Sequence, residues 1–567
     1  MSSSPIEYSF SESMAHSRLW AMIALLTIIA LTAALRIRLL EVPLDRDEGG
    51  YAYTAQLILQ GVPPFAHAYD MKMPGLYYVY ALILLLFGQT TIGIHLGLLV
   101  INSVTIVLLY LISKRLFDTT IGIIAAAAYA VMSLSQAVWG FSANAEYLLL
   151  APAMAGILLL LRGLDSPHSR YFFGGGLLLG TAFIIKHQGI FFAGFAAFYL
   201  SLCVLKKPKD QRSRCIRQYL FFLLGLIMPF SVLCLYFWII GLFDKFWFWL
   251  FKYPQEYAHR ISFQQGVEFF VNQVARMAPS AIGLWLLAAI GLIALLSKKH
   301  LRHRLLFTAL FFLFSLLALL PGYYFYPHYF VLILPVLAIL TGLGADSAAA
   351  LLKNSRSSII KAVLSILLVA AAIVYALIAE KAYLFELTPA AISRAAFEMN
   401  PFPESVKIAD YIKNNSRPGD EVAIIGSEPQ IFFYTRCRSA TSHIYIYPLA
   451  GAHKYASSMQ QEMICQIEAA QPHFLIFVYI PDSWLMDKKS DRSILNWSQD
   501  YIEAQYNLVG TVNILLDGTP VYDWGRDVAR NQPQSKYWIA VFERKTPEGT
   551  SPPPTDFPKR LIPPERL

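Results

Sequence analysis

The feature that most constrains this chain is a succession of apolar runs of roughly bilayer-spanning length. They lie near 19–40, 93–113, 119–138, 145–161, 171–185, 189–205, 218–241, 279–297, 305–320, 329–346 and 359–379, about eleven in all. A sequence of 567 residues that is 56% apolar and only 15% charged, with mean hydropathy +0.49, needs lipid as its solvent. The fold class is therefore a polytopic α-helical membrane protein. The net charge of +9 does not imply a nucleic-acid partner. Most Lys and Arg sit in short clusters between apolar runs, where they orient helices. Cys203, Cys215, Cys234, Cys437 and Cys465 form no CxxC pair and have no His at metal-ligand spacing, so no zinc site or disulfide framework is implied. Cys437 and Cys465 share the C-terminal region and could pair if their geometry allows it.

Charge sets the topology. Residues 1–18 are polar, and the run after them continues into Arg36 and Arg38 with no small-residue cleavage site, so it reads as the first span. The segment Gly75 to Phe87 is apolar but too short to cross ~30 Å of hydrocarbon. If it does not span and the N-terminus is cytosolic, the clusters Lys114/Arg115, Arg162/Arg170, Lys206 to Arg217, Lys298 to Arg304 and Lys353 to Lys361 all fall inside. The segment 75–87 is then expected to lie along the outer interface or to begin a long helix. The outer face receives two long loops, 41–92 and 242–278, within a membrane domain spanning 19–385, and long loops are usually functional. Trp247, Phe248, Trp249, Phe251 and Tyr253 read as a helix lying in the membrane interface.

Beyond about residue 400 the texture changes. Helical Ser405 to Asn414, the turn Pro418-Gly419-Asp420 and short apolar stretches at Glu421 to Ile425, Phe474 to Tyr479, Asn507 to Leu515 and Tyr537 to Glu543 predict an extracytoplasmic α/β domain over 400–545. Gly426 follows a strand, but without a GxGxxG no nucleotide site is implied. The tail 546–567, with Pro552-Pro553-Pro554, reads as disordered.

Chemistry concentrates in the first loop. Asp45-Arg46-Asp47-Glu48-Gly49-Gly50-Tyr51-Ala52-Tyr53 is followed by Asp70-Met71-Lys72-Met73-Pro74-Gly75, placing acids and a lysine beside a membrane helix, where desolvation makes charge useful. The plain structural alternative is helix capping, with Asp47 and Glu48 at the N-terminus of a helix running from Tyr51.

The Asp-Glu pair after the first span, the downstream Lys-x-Pro and the run Tyr324-Phe325-Tyr326-Pro327-His328-Tyr329-Phe330 resemble the glycosyltransferase C superfamily. The likeness is to its bacterial protein-mannosyltransferase-like and aminoarabinose-transferase-like branch, over residues 19–380. The resemblance implies an inner-membrane enzyme that transfers a hexosyl or pentosyl group from a polyprenyl-phosphate donor to an extracytoplasmic acceptor: a lipid, a protein or an envelope glycan. It implies Asp47 as catalytic base, Glu48 as an orienting or binding acid and Lys72 as a contact to the donor phosphate. Where the family has Lys-Pro-Pro, this chain has Lys72-Met73-Pro74, which leaves the cation but questions the backbone shape. Asp70, Tyr51 and Tyr326 are further substrate-binding candidates.

Glu146, Lys186 and His328 also match family positions, as an acid and two donor-binding groups. Glu146 and His328 have ordinary alternatives, dipole complementation and interfacial amphipathic rings, whereas for Lys186 the cost of a charge at a helix junction in the membrane favours donor or acceptor binding. Arg260 could make a second phosphate contact or bind a lipid headgroup. No proposed step needs a cofactor, although Asp47 and Glu48 could hold a divalent cation. An oligosaccharide polymerase or ligase on the same scaffold, and a transporter, are the rival readings. A transporter would call for paired broken helices or an internal repeat, and neither is visible.

Overall fold

The computed structural model describes residues 5–258, 260–298, 301–352, 358–525, 528 and 533–545. The tail from 546, and parts of the basic stretches 298–304 and 353–361, lie outside the described residues.

Each apolar run lies on a helix, but the lengths differ. Six described helical segments are long and apolar enough to cross a membrane: Arg18–Ile37, Thr91–Leu116, Ala145–Leu164, Lys209–Ile239, Pro327–Leu351 and Ile359–Ala379. Thr119–Met132, Arg170–Ile185, Gly189–Leu205 and Arg304–Leu317 are shorter apolar helices. Ile282–Ser297 follows Phe263–Ser280 across a bend of 106°. The chain is a multi-pass membrane protein. The first helix runs Pro5–Ile37, and its part Arg18–Ile37 is the apolar segment.

Pro74–Phe87 is a helix of 14 residues, about 21 Å at 1.5 Å per residue. It does not open a long helix, as one expectation had it: Gly88 breaks the chain at φ 91 before Thr91–Leu116 begins. Such a positive φ suits glycine, which carries no Cβ.

Two compact units divide the chain. One comprises Met1–Leu40, His95–Ile239 and Tyr257–Leu387; the other Glu41–Ile94, Ile240–Glu256 and Thr388–Leu567. The first loop thus groups with the C-terminal residues rather than with the helical unit. In the helical unit, Gly291 and Gly344 let two helices touch backbone to backbone. A Cβ on either would fall 1.9 or 1.8 Å from a carbonyl oxygen of the other helix, the small-residue contact that lipid-embedded helices use.

The second unit is built on a mixed six-stranded sheet of order β2-β1-β3-β6-β4-β5. Its strands are β1 (Glu421–Ile425), β2 (Arg438–Ser439), β3 (Phe474–Tyr479), β4 (Tyr506–Ile514), β5 (Pro520–Trp524) and β6 (Trp538–Arg544). β1 runs parallel to β2 and β3, and the remaining pairings are antiparallel. The continuous apolar runs of β1 and β3 suit strands buried on both faces.

The first loop is fastened to this sheet. Tyr69 donates its backbone N–H to the Ser442 carbonyl at 2.7 Å, and Ser439 N–H bonds the Tyr53 hydroxyl at 2.8 Å. Arg46 pairs with wholly buried Glu428 at 2.8 Å and also bonds the Asn400 amide oxygen at 3.0 Å. Gly49 meets the Gln430 backbone so closely that a Cβ would lie 2.5 Å from its nitrogen.

Removing one partner of a buried ion pair strands the other charge, at a cost of about 3–5 kcal/mol. Arg46→Met should therefore lower the thermal midpoint of the purified protein markedly. Adding Glu428→Gln, which removes the stranded charge, should recover part of that loss. Equal midpoints for Arg46→Met and wild type would contradict this role.

Candidate active site

In the second unit the loop acids are placed by a helix that starts earlier than expected. Arg46–Leu59 begins at Arg46, not Tyr51, because Asp45 is its N-cap. The Asp45 carboxylate accepts from Glu48 N–H at 2.9 Å, and the Glu48 side chain returns a bond to Asp45 N–H at 3.4 Å, completing a capping box. The capping alternative thus describes Asp45 and Glu48, both buried.

Asp47, one turn before Tyr51, faces another way. Its Oδ2 accepts the Lys72 ammonium at 2.8 Å and the Tyr51 hydroxyl at 3.0 Å. The Lys72 Nζ also lies 5.4 Å from the Tyr51 ring centroid, within cation–π range. Both charges stay partly open, Asp47 at 28% and Lys72 at 16% side-chain exposure, so the pair is reachable by a ligand.

Lys72 is held by the turn before Pro74–Phe87. Pro74 takes the first helical position, where its missing N–H costs nothing. Met73 adopts φ −67, the value a proline ring would impose.

Asp70 is buried behind the pair. Its oxygens accept Met71 N–H at 2.7 Å and the Tyr77 hydroxyl at 3.0 Å. Burial pushes its carboxyl up to about 6; the Lys72 charge opposes this and the Asp47 charge adds to it. The C-terminal residues Tyr445 and Tyr447 belong to the same neighbourhood. The Tyr445 hydroxyl bonds the Arg46 carbonyl at 3.4 Å, its ring lies 5.2 Å from Tyr447, and a Cβ on Gly50 would strike it. Neither tyrosine is distinguished in the sequence, where aromatic residues are common.

Asp47 is bonded to Lys72 and Tyr51, and Glu48 to the Asp45 backbone. Among the described residues no three His, Cys, Asp or Glu side chains converge as a metal-holding group. Cys437 and Cys465 are both free thiols. Trp249 and Tyr253, expected in the membrane interface, are buried instead. The Trp249 ring packs 5.4 Å from Tyr69 and Tyr253 packs 5.5 Å from His453. Trp247 remains exposed.

The helical unit carries a second polar cluster. Glu146, 0% exposed in the first turn of Ala145–Leu164, pairs with Lys186, which ends the helix Arg170–Ile185. His328 Nε2 lies 3.7 Å from the same carboxylate oxygen, and the Lys186 ammonium sits 4.8 Å from the Tyr329 ring centroid. The other Glu146 oxygen, Oε2, is buried with no hydrogen-bond partner among the described residues.

From His328 a row of rings leads to Arg260. His328 lies 5.0 Å from Trp139 and stacks on Tyr326 at 5.7 Å; Tyr326 stacks on Tyr324 at 5.3 Å, and Tyr324 on Tyr257 at 4.8 Å. The Arg260 guanidinium covers Tyr257 at 5.6 Å. The left-handed backbone at Tyr323 (φ 57) and Phe325 (φ 45) alternates with these stacked residues. Non-glycine residues adopt that conformation at about 1–2 kcal/mol each. The Tyr-x-Tyr-x-His alternation was visible in the sequence, but nothing there marked Trp139 or Tyr257. Arg36, also missed, is buried and bonds the carbonyls of Gly140 and Ser133, holding the turn that presents Trp139.

Over residues 71–248 the sequence matches the family described as dolichyl-phosphate-mannose-protein mannosyltransferase. The chain has a glycosyltransferase C fold. The matched stretch of this glycosyltransferase C scaffold contains Lys72, Glu146 and Lys186 and ends before Arg260 and His328. Its fold is shared with ArnT from Cupriavidus metallidurans bound to undecaprenyl phosphate, at TM-score 0.57 and 14% identity, over 91% of this chain and 97% of that one. The apo form of the same protein gives 0.55 at 14% identity, over 93% and 98%. An oligosaccharyltransferase from Archaeoglobus fulgidus, tethered to an acceptor peptide, gives 0.46 at 12% identity, over 88% and 74%. No curated protein matches the sequence.

The raised Asp70 carboxyl makes a pH prediction. An unfolded Asp ionises near 3.9, so between about pH 4 and 6 the unfolded state releases a proton that the folded state keeps, and stability falls as pH rises. Above about 6 the full penalty, roughly 2–3 kcal/mol, is present. Asp70→Asn cannot ionise, so its thermal midpoint should exceed that of wild type near pH 7.5 and the gap should close near pH 4. A gap independent of pH would contradict the assignment.

Proposed function

We propose that this protein is a glycosyltransferase that moves one sugar from a polyprenyl-phosphate donor to an acceptor on the non-cytosolic face of the cytoplasmic membrane. The N-terminus is cytosolic and the C-terminal α/β region extracytoplasmic in this reading. The observation that carries it is the Asp47–Lys72 pair, a carboxylate and an ammonium 2.8 Å apart on one loop, partly open and backed by buried Asp70.

The donor phosphate competes with Asp47 for Lys72. As the ammonium turns to the phosphate, Asp47 is released and Tyr51 keeps it oriented. An acceptor hydroxyl or amine then attacks the anomeric carbon and gives its proton to Asp47 Oδ2. The bond from the anomeric carbon to phosphate oxygen breaks, and its electron pair leaves with the polyprenyl phosphate. Lys72 stabilises the charge that grows there. A single displacement inverts the anomeric centre. Asp47 suits the base role better than Asp70, whose oxygens are buried and already committed to Met71 and Tyr77. Glu48 supports the helix that presents Asp47.

In the helical unit, the half-satisfied Glu146 carboxylate, with Lys186 and His328 beside it, supports a second polar binding site. Tyr326, stacked between Tyr324 and His328, offers a sugar its hydroxyl rather than a ring face, and Arg260 offers a fixed cation to a phosphate.

Positioned bases contribute about 10²–10⁴ in rate, so Asp47→Asn should lose turnover by that factor in an assay with a radiolabelled polyprenyl-phosphate sugar. A charged hydrogen bond is worth about 1.5–3 kcal/mol, so Lys72→Ala should weaken donor binding roughly 10- to 100-fold. Wild-type turnover by purified Asp47→Asn would reject the base assignment. The mass of the product separates single-sugar transfer from transfer of a preassembled oligosaccharide.

A further inference from the structure

A cavity lies at the other end of the helices that carry Glu146 and Lys186. It measures ≈ 400 Å³ and is formed where Ala145–Leu164 ends, Arg170–Ile185 starts and Gly189–Leu205 ends, with the first turns of Lys209–Ile239 closing it. Glu146 stands in the first turn of a 20-residue helix and the cavity at its last residue. At 1.5 Å per residue the two are about 30 Å apart, the thickness of a bilayer core. The cavity therefore belongs to the opposite membrane face, where the charge bias puts the cytosol.

Its lining is divided in character. Leu164, Phe172, Leu200 and Val204 form apolar walls, and Lys207 and Arg214 stand at the mouth. Asp165 also lines it, but its carboxylate is paired with Arg115, which also bonds the Leu161 carbonyl. The mouth thus keeps a positive excess. Around it the sequence 206–217 holds Lys206, Lys207, Lys209, Arg212, Arg214 and Arg217 against the single acid Asp210. The apolar crevice beside it, which shares Leu164 and Leu200, has room for about one water molecule and none for a chain. A cationic mouth over apolar walls fits an amphiphile, whereas a soluble anion would leave those walls unused. Basic pockets between helices at a membrane surface take anionic headgroups, and each cation near an anionic bilayer adds about fivefold in affinity.

We infer that this cavity binds an anionic phospholipid, its phosphate between Lys207 and Arg214 and its glycerol and upper acyl segments against Leu164, Phe172, Leu200 and Val204. The assignment is independent of sugar transfer. It provides a lipid contact that ties the turn 165–169 and the basic segment 206–217 to the bilayer surface.

Two thiols in the wall, Cys203 and Cys215, make the site measurable. With Cys234, Cys437 and Cys465 replaced by Ser, the rate of alkylation by N-ethylmaleimide is followed by mass spectrometry in nanodiscs of phosphatidylcholine, with or without phosphatidylglycerol. Phosphatidylglycerol should slow alkylation at least fivefold, and the double variant Lys207→Gln/Arg214→Gln in the same discs should lose that protection. Lys207→Arg/Arg214→Lys, which keeps both charges, should retain it and so guards against misfolding as the cause. Equal rates with and without phosphatidylglycerol would overturn the proposal. So would protection by inorganic phosphate in phosphatidylcholine discs, or protection by undecaprenyl phosphate where phosphatidylglycerol gives none.

Discussion

One ion pair, Asp47–Lys72, joins the two helices of the first loop. Asp47 and Lys72 are brought together from positions 25 residues apart by two helices of the first loop. One starts at a capping box and the other at a proline whose preceding residue already has proline-like geometry. Neither charge is fully desolvated, which keeps the pair exchangeable: a buried bridge would hold too firmly and a solvated one too loosely. Asp70 adds a second carboxyl behind the pair, whose ionisation depends on the two charges in front of it.

Around this pair the second unit is a support. The sheet takes no part in charge chemistry, but the chain leaving its strands supplies Glu428 to Arg46, Ser442 to Tyr69 and Tyr445 to the close contact at Gly50. A loop fixed at three points can hold a carboxylate in a set direction, which is what proton transfer in a transition state requires. The helical unit fixes its own cluster by different means. A buried arginine bonded to carbonyls shapes one turn, and left-handed tyrosine and phenylalanine residues set a row of rings.

The sequence revealed the elements better than their partnerships. Hydropathy located the apolar helices because burial in lipid imposes one requirement over some twenty residues. Short apolar strands such as Glu421–Ile425 were legible for a similar reason. The link from Lys72 to Asp47 was not, because no local pattern couples residues on separate helices. Arg46 and Glu428 stand 382 positions apart, and only the tertiary fold makes one the counter-ion of the other. Trp249 and Tyr253 were misassigned because an aromatic residue looks the same in sequence whether it faces a headgroup or a packed core. The helix starts five residues earlier than expected, at Arg46 rather than Tyr51, because Asp45, Asp47 and Glu48 are all acceptable near a helix N-terminus and only geometry tells the cap, Asp45, from the acid that faces Lys72.

In the proposed mechanism Asp47 and a donor phosphate compete for Lys72. The most direct measurement is the equilibrium affinity of purified wild-type and Asp47→Asn protein for polyprenyl phosphate. Neutralising Asp47 frees the ammonium without altering its position, so the variant should bind the lipid phosphate several-fold more tightly than wild type while failing to transfer sugar. Unchanged or weaker binding by Asp47→Asn would contradict the competition on which the mechanism depends.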